Sequence, residues 1–269
     1  MTRADSGPAV AGDPRAPLIS VVTIVKNDRA GLLATLEGVR AQGFTDFEHV
    51  VIDGGSTDGS VDLIHAHAAH LARWVSEPDG GISDAFNKGL AMARGTWINF
   101  LNAGDAFLDG GVLGRVAARL GPAQAAAIVT GYSVTAGVRS PPYPVGNDER
   151  LPRRAWISHQ ASFIHRRVFD ACGGFDTRFR VRMDYELWLR ALPRFPFDFM
   201  DEPLVSFAPG GASTRLRRAF FEEEFAANRM HLRLAFLANL RVRARERLHA
   251  ALRASGLFDR YRALRLGRR

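Results

Sequence analysis

Carboxylates and carboxamides recur in this sequence just where runs of β-branched and aromatic residues stop. Asn27 and Asp28 follow the run at 17–25, Asp53 and Asp58 the run at 48–54, Glu77 and Asp79 the run at 73–77, and Asn102 and Asp105 the run at 96–101. Side chains of this kind at one end of a sheet make a carboxylate-lined crevice, rich in hydrogen-bond acceptors for a polar ligand. The segment VIDGGSTDGS (51–60) shows the pattern in full. An acid closes a buried run, two glycines let the backbone turn, and a Ser/Thr/Asp cluster can cap the next helix. Residue types alone also leave open a plain turn with an N-cap. Neither GxGxxG nor GxxxxGK[ST] occurs, which removes a dinucleotide fingerprint and a P-loop. Further on, Asp184 begins the amphipathic stretch DYELWLRAL, where a carboxylate also favours the helix dipole. Glu186, two residues later, points to a different helix face and is set to pair with an arginine. No spacing matches a zinc site or a Ser/His/Asp triad.

To line one crevice, these positions need strands that end side by side. PLISVVTIV (17–25) is nearly continuous in β-branched residues and predicts a buried central strand. Leu32, Leu33, Leu36 and Val39 then fall on one helical stripe, and Gly43 supplies a stop. A strand at 48–54, helical spacing at 60–72, a short strand at 73–77, a helix at 82–93 and a strand at 96–101 follow. This β-α-β-α-β-α-β order predicts an α/β fold with right-handed crossovers and a mostly parallel sheet covered on both faces. Residues 133–158, with Pro141, Pro142, Pro144 and Pro152, predict a long surface loop.

Together, TIVKND (23–28), VIDGGSTDGS (51–60) and SEPDGGISDAFNKGLAMARGTWINFLNAGD (76–105) resemble family 2 glycosyltransferases, the inverting, nucleotide-sugar-dependent enzymes of GT-A fold. The likeness is greatest to bacterial members that build exopolysaccharide or O-antigen units. It extends through ISHQASFIHRRVFDACGGFDTRFRVRMDYELWLRAL (157–192) to about Ser213. The resemblance implies a Rossmann-like sheet flanked by helices, with a nucleotide-binding half at about 17–106, an acceptor half at about 107–214 and a helical extension beyond. It implies that Asp53 accepts the N–H of the donor's base and that Thr23, Val25 and Asn27 meet the nucleotide. Asp84, Asn87 and Lys88 would hold base, ribose or diphosphate, and Asn102 would orient ribose or a water. Asp105 falls at the metal-binding position for Mn²⁺ or Mg²⁺. Here the sequence departs from the family pattern, because NAGD carries one carboxylate where many relatives have two or three. A hard cation can complete its oxygen shell from the donor diphosphate and water. Asp184 falls at the catalytic base, and His159, Gln160 and Trp156 on the acceptor side. The implied reaction carries a sugar from a nucleoside diphosphate, UDP first with GDP and dTDP behind, to a hydroxyl of a saccharide or lipid-linked saccharide in cell-surface polysaccharide biosynthesis.

A chain of 269 residues with 46% hydrophobic and 24% charged residues can bury a sizeable core. It has no run of about 18 apolar residues of the kind that crosses a membrane. The single cysteine, Cys172, excludes an internal disulfide and fits a reducing compartment such as the cytoplasm. Residues 1–16 are polar and rich in Pro and Gly, and predict a disordered leader. The formal charge of +8 is uneven: residues 215–269 hold 15 Arg against 5 acids, net +10, leaving 21 basic against 23 acidic residues, net −2, in residues 1–214. A basic patch spread over an ordered body would suggest nucleic-acid binding, and this body lacks one, so no nucleic-acid partner is expected. A sugar nucleotidyltransferase would need a glycine-rich basic loop near residue 25, and none is present. In the tail, Leu237, Leu240, Ala244, Leu248 and Ala251 form a helical stripe flanked by Arg241 and Arg245 on one side and Arg243 and Arg247 on the other. Such a helix either lies at an anionic membrane interface or packs on the catalytic domain or a second subunit.

Overall fold

Burial and hydrogen bonding turn the first β-branched run into the centre of a sheet. The computed structural model describes residues 16–120, 126–140, 157–208, 216–233, 235–257 and 260–261. β1 (Ile19–Val25) is buried along nearly its whole length. α1 (Arg29–Arg40) starts on Asp28, whose carboxylate accepts from the Gly31 amide (3.0 Å), and buries Leu32, Thr35, Leu36 and Val39. β2 (Phe47–Asp53), α2 (Ser60–His67), β3 (Arg73–Ser76), α3 (Ile82–Met92) and β4 (Trp97–Phe100) follow in the predicted alternation. These four strands lie in the order β3-β2-β1-β4, all parallel. Their register sets Val25 beside Asp53 and Asp53 beside Ser76, so the polar residues after each strand emerge at one level. α3 sits unusually close to the sheet. A Cβ at Gly89 would collide with Val22 on β1, so only glycine lets the helix approach.

Beyond β4 the chain adds β5 (Ala106–Phe107), α4 (Val112–Arg119), β6 (Ile128–Thr135), β7 (Val138–Ser140), β8 (Ser162–His165), α5 (Arg166–Cys172), α6 (Met183–Ala191) and β9 (Phe197–Ser206). The sheet continues from β4 as β8-β6-β9-β5, with only β6 and β9 parallel. It is therefore parallel from β1 to β4 and mixed beyond. The surface loop expected from residue 133 starts instead as a hairpin: β6 turns through Ala136 and Gly137, both at positive φ, into β7. Residues 141–156, Trp156 among them, lie outside the described residues, as do 1–15, where the leader was expected, and the Gly-Gly-Ala-Ser turn at 210–213.

The tail forms two helices, α7 (Arg217–His231) and α8 (Ala235–Ala254). α7 packs on α6: Tyr185 Oη donates to Asn228 Oδ1 (2.7 Å), and His231 Nε2 lies 2.8 Å from Glu186 Oε1. The first half of the basic tail is thus joined to α6. No helix among the described residues is long and apolar enough to cross a membrane.

Candidate active site

Two buried acids on β2 show where binding capacity remains. At the start of the strand, Glu48 Oε1 accepts from Ser20 Oγ (2.7 Å), the Arg94 amide (2.5 Å) and the Gly95 amide (3.2 Å), and Oε2 pairs with Arg73 (2.7 Å). Its charge is matched, and its work is structural. At the other end, Asp53 Oδ2 accepts from the Gly55 amide (3.0 Å), the Ser56 amide (2.9 Å) and Ser76 Oγ (2.7 Å). Asp53 Oδ1 is buried and has no hydrogen-bond partner among the described residues. An unpartnered buried acceptor costs about 1–3 kcal/mol, so this oxygen is left for a donor from outside the described residues. The glycines of the Asp-Gly-Gly turn serve this geometry: Gly55 takes φ +79°, and a Cβ at Gly54 would strike the Asp79 carboxylate.

The turns after β1, β2 and β3 are laced to one another, and several expected ligand-binding side chains are spent in the lacing. Asn27 adopts φ +53°; its amide donates to Ser56 Oγ (2.8 Å), and its Oδ1 accepts from the Thr57 amide (2.8 Å). Asp58 accepts from the Arg29 amide (2.8 Å) and from Ser60 Oγ (2.6 Å); the Ser60 hydrogen bond holds its carboxyl below the usual range. Lys88 donates to the Pro78 carbonyl (2.9 Å) and to Glu77 (2.8 Å), and that Glu77 bond raises its ammonium above the ordinary lysine value. Thr23 is fully buried and lies 2.9 Å from His49 Nε2, while Val25 packs in the core with Leu32, Leu36 and Val51. The side chains of Thr23, Val25, Asn27 and Lys88 are thus all engaged by protein neighbours. Asp84 keeps a freer position at the start of α3, accepting from the Gly80 amide (2.9 Å) and lying 3.6 Å from Lys88.

After β4 the chain turns through Asn102, Ala103, Gly104 and Asp105 against α1. Thr35 Oγ1 anchors this turn: it accepts from the Gly104 amide (3.0 Å) and lies within reach of the Asp105 carbonyl (2.7 Å) and the Asn102 carbonyl (3.2 Å). Asn102 Oδ1 is buried with no partner among the described residues. Asp105 is buried, and one oxygen accepts from the Ala208 amide (2.9 Å). Burial lifts its carboxyl to about 7, against the opposing effect of the Ala208 hydrogen bond. No group of three His, Cys, Asp or Glu side chains able to hold a metal occurs among the described residues. Asp105 alone would give a cation one carboxylate, with the remaining oxygen ligands supplied from outside this turn.

The acceptor side is assembled from more distant parts. Asp184 lies half-buried in the first turn of α6, with the Tyr185 amide donating to its Oδ1 (2.7 Å). The loop before it is held by the tail: Glu223 on α7 accepts from the amides of Arg180 (3.0 Å), Val181 (2.9 Å) and Arg182 (2.8 Å). Arg182 is the N-cap of α6 and the other two amides lie just before it, so Glu223 ties the whole approach to the helix onto α7. α3 forms the shared wall of the two halves. Ser83 Oγ donates to the Phe179 carbonyl, and Asn87 makes paired bonds with the amide and carbonyl of Phe175 (both 2.8 Å). Asn87 thus braces α3 against the loop that carries Phe175. His159 is buried against Phe86, Phe100, Phe175 and Trp188, and neither ring nitrogen has a partner among the described residues. Burial lowers its imidazole to about 4, and the nearby Asp184 carboxylate offsets this in part. The Gln160 carbonyl accepts from Asn99 Nδ2 (2.8 Å).

The family model for glycosyl transferase family 2 matches residues 20–222, which spans both halves and runs into α7. The chain belongs to that family. A PGL/p-HBAD biosynthesis glycosyltransferase of Mycobacterium bovis is 31% identical over 232 residues, covering 82% of this chain and 90% of the relative. Among solved structures, residues 1–349 of S. aureus TarS in complex with UDP-GlcNAc superpose with a TM-score of 0.64 at 14% identity, over 82% of this chain and 69% of that one. The chain spans 39% of a longer TarS structure. The mannosyltransferase PcManGT of Pyrobaculum calidifontis, in complex with GDP-Man and Mn²⁺, gives a TM-score of 0.61 at 18% identity, over 98% of this chain and 84% of that one. The fold is that of the GT-A glycosyltransferases.

Within this family 2 transferase, Asp53 closes the carboxyl end of β2, Asn102 and Asp105 follow that of the parallel strand β4, Asp84 lies in the first turn of α3, and α3 is bonded to the loop before Asp184. Thr35, Ser76 and Asn99 escaped notice in the sequence. Thr35 alone gave a signal, a hydroxyl within the apolar stripe of α1. Glu223 stood in a run of three glutamates whose target lies some forty residues upstream. A cavity of about 420 Å³ lined by Asn87, Phe175, Arg178, Glu186, Arg190 and His231 includes none of the crevice acids. Glu186 pairs there with Arg190 (2.7 Å), as its position on the helix predicted, and Arg178 pairs with Asp176 (2.6 Å).

Proposed function

We propose that this transferase moves a sugar from a nucleoside-diphosphate sugar, a UDP-sugar first, to a hydroxyl of a saccharide or lipid-linked saccharide in cell-envelope glycan assembly, with inversion. The observation that carries the proposal is the buried, unpartnered Oδ1 of Asp53 at the crevice floor. A carboxylate oxygen there accepts a ring N–H, which uracil, thymine and guanine offer. In this reading Asp84, in the first turn of α3, and Asn102, after β4, serve the ribose and diphosphate. The relative named for PGL/p-HBAD biosynthesis and the TarS complex with UDP-GlcNAc support the envelope pathway and the uridine donor.

Asp184 takes the proton of the acceptor hydroxyl as its oxygen bonds to the anomeric carbon. The bond from that carbon to the diphosphate oxygen breaks in the same step, so one displacement from the opposite face inverts the centre. Glu223 and Asn87 keep the base and the donor wall in register, and His159, neutral at pH 7, forms the apolar back of the acceptor side. A divalent cation held by Asp105 would supply charge neutralisation for the departing diphosphate. The enzyme works in the cytoplasm, where its single thiol stays reduced.

Thermal shift with UDP, GDP, dTDP and CMP, with and without Mn²⁺, tests this on the wild type, Asp53→Asn and Asp105→Ala. A nucleotide at about 100 times its Kd adds about 2.7 kcal/mol, or about 5–10 °C for a domain of this size. UDP with Mn²⁺ should give the largest rise, and each substitution should reduce it. No rise with any nucleotide overturns the proposal.

A further inference from the structure

The second tail helix is docked by the face opposite its leucines. α8 meets α7 through Val242 (5% exposed), through Asn239, whose Oδ1 accepts from Asn228 Nδ2 (3.1 Å), and through Arg245, which bonds Glu224 (2.5 Å). Arg245, expected beside the apolar stripe, is therefore turned inward. Phe236 (77% exposed), Leu237 (50%), Leu240 (56%) and Leu248 (45%) all face away from this contact. At about 100° per residue each lies about 120° or more from Val242 around the helix. A helix packed on its own domain by hydrophobic burial would have hidden these four side chains first. Contiguous apolar patches of this kind mark a surface that meets something else.

Charge says what that something is. Arg241 and Arg243 are exposed at the two borders of the stripe, and Arg247 is exposed beside Leu240. The single acid of α8, Glu246, is half-buried on the docked side. Two copies pressed together by this face would set arginine against arginine with no acid to match them. A nucleic acid would use the arginines and leave the leucines in water. A surface that is anionic at the rim and apolar beneath satisfies both sets.

We propose that the outward face of α8 docks the protein on an anionic lipid bilayer, with Phe236, Leu237, Leu240 and Leu248 at the acyl boundary and Arg241, Arg243 and Arg247 on headgroup phosphates. Arg245 and Arg182 both bind Glu224 of α7 (2.5 and 3.6 Å), so the docking helix and the loop before Asp184 share one anchor. That the acceptor rides in the same bilayer rests on the proposed transferase activity. The docking itself does not.

The test is flotation of the full chain with vesicles of phosphatidylcholine alone and of phosphatidylcholine with phosphatidylglycerol at about 3:1. The wild type should float with the anionic vesicles and not with the zwitterionic ones. A triple variant, R241Q/R243Q/R247Q, should lose about a hundredfold in partitioning, and L237S/L240S/L248S a similar factor or more. All six positions are exposed, so both variants should keep the nucleotide-induced shift, and only the loss of the Arg243 contact with the Phe225 ring (5.5 Å) should lower the melting temperature of the arginine variant slightly. Failure to float, equal flotation with both vesicles, or flotation that the leucine variant retains overturns the docking. A wild-type dimer that the leucine variant dissociates assigns the face to a second copy instead. Loss of flotation with nucleotide binding intact leaves the transferase activity standing, so the two failures can be told apart.

Discussion

On the donor side, nearly every polar contact that shapes the site joins turns following neighbouring strands: Asn27 to Thr57, Arg29 to Asp58, Ser76 to Asp53. On the acceptor side the corresponding contacts come from afar, as when Glu223 on the tail caps the start of the helix that carries Asp184. The donor crevice follows from parallel register, which brings four strand ends level whatever the rest of the chain does. The acceptor wall exists only after α6, α7 and the 175–182 loop have docked. Substitutions in the crevice should act on donor binding, and substitutions in the wall on turnover and on stability together.

Substitutions at four positions would break or sharpen that contrast. The largest effect is expected from Asp184→Asn, which removes the base and should lower kcat about 10³-fold while the UDP-induced thermal shift stays unchanged. Loss of the shift as well would mean that the two halves are not separable. Asp53→Asn should act in the opposite sense, weakening donor binding about a hundredfold by calorimetry with a smaller change in kcat at saturation. Glu223→Ala strips three amides of their acceptor and should cost about 2 kcal/mol in urea unfolding. It should also lower kcat while leaving donor affinity intact, and Glu223→Gln should recover part of both losses.

The smallest effect concerns two buried histidines, one in each half. Burial depresses His49 to about 3 and His159 to about 4, both from 6.5. The unfolded chain therefore takes up protons first as pH falls. The stability these neutral rings contribute is whole above 6.5 and declines below it, until each group's folded pKa is reached. Each should cost about 1 kcal/mol between pH 7 and 5.5. His49→Asn should remove its share of that decline, measured as the difference in unfolding free energy at the two pH values.

Much of this was legible in the sequence, for reasons that differ from residue to residue. The strands and helices up to β4 follow from apolar periodicity and turn chemistry, both local properties. The acids at the strand ends could be read because a parallel sheet exposes that end of every strand to the same crevice. The protein partners of Thr23, Asn27, Asn87 and Lys88 could not be read: their types suit a ligand, and a hydrogen-bonding group is engaged by whichever partner folding brings nearest. The hairpin of β6 and β7 was missed because prolines just downstream masked its strand pattern.

The sequence alone determined the α/β alternation, the row of acids and the two-sided character of the tail helix, because each depends on spacing within a few turns or a single strand. Tertiary structure decided which oxygen of Asp53 stays free, which polar side chains are spent as braces, how Glu223 reaches Asp184's helix, and which face of α8 turns outward. Those outcomes depend on partners tens of residues away, and only the packed chain selects among the many groups able to satisfy the same valence.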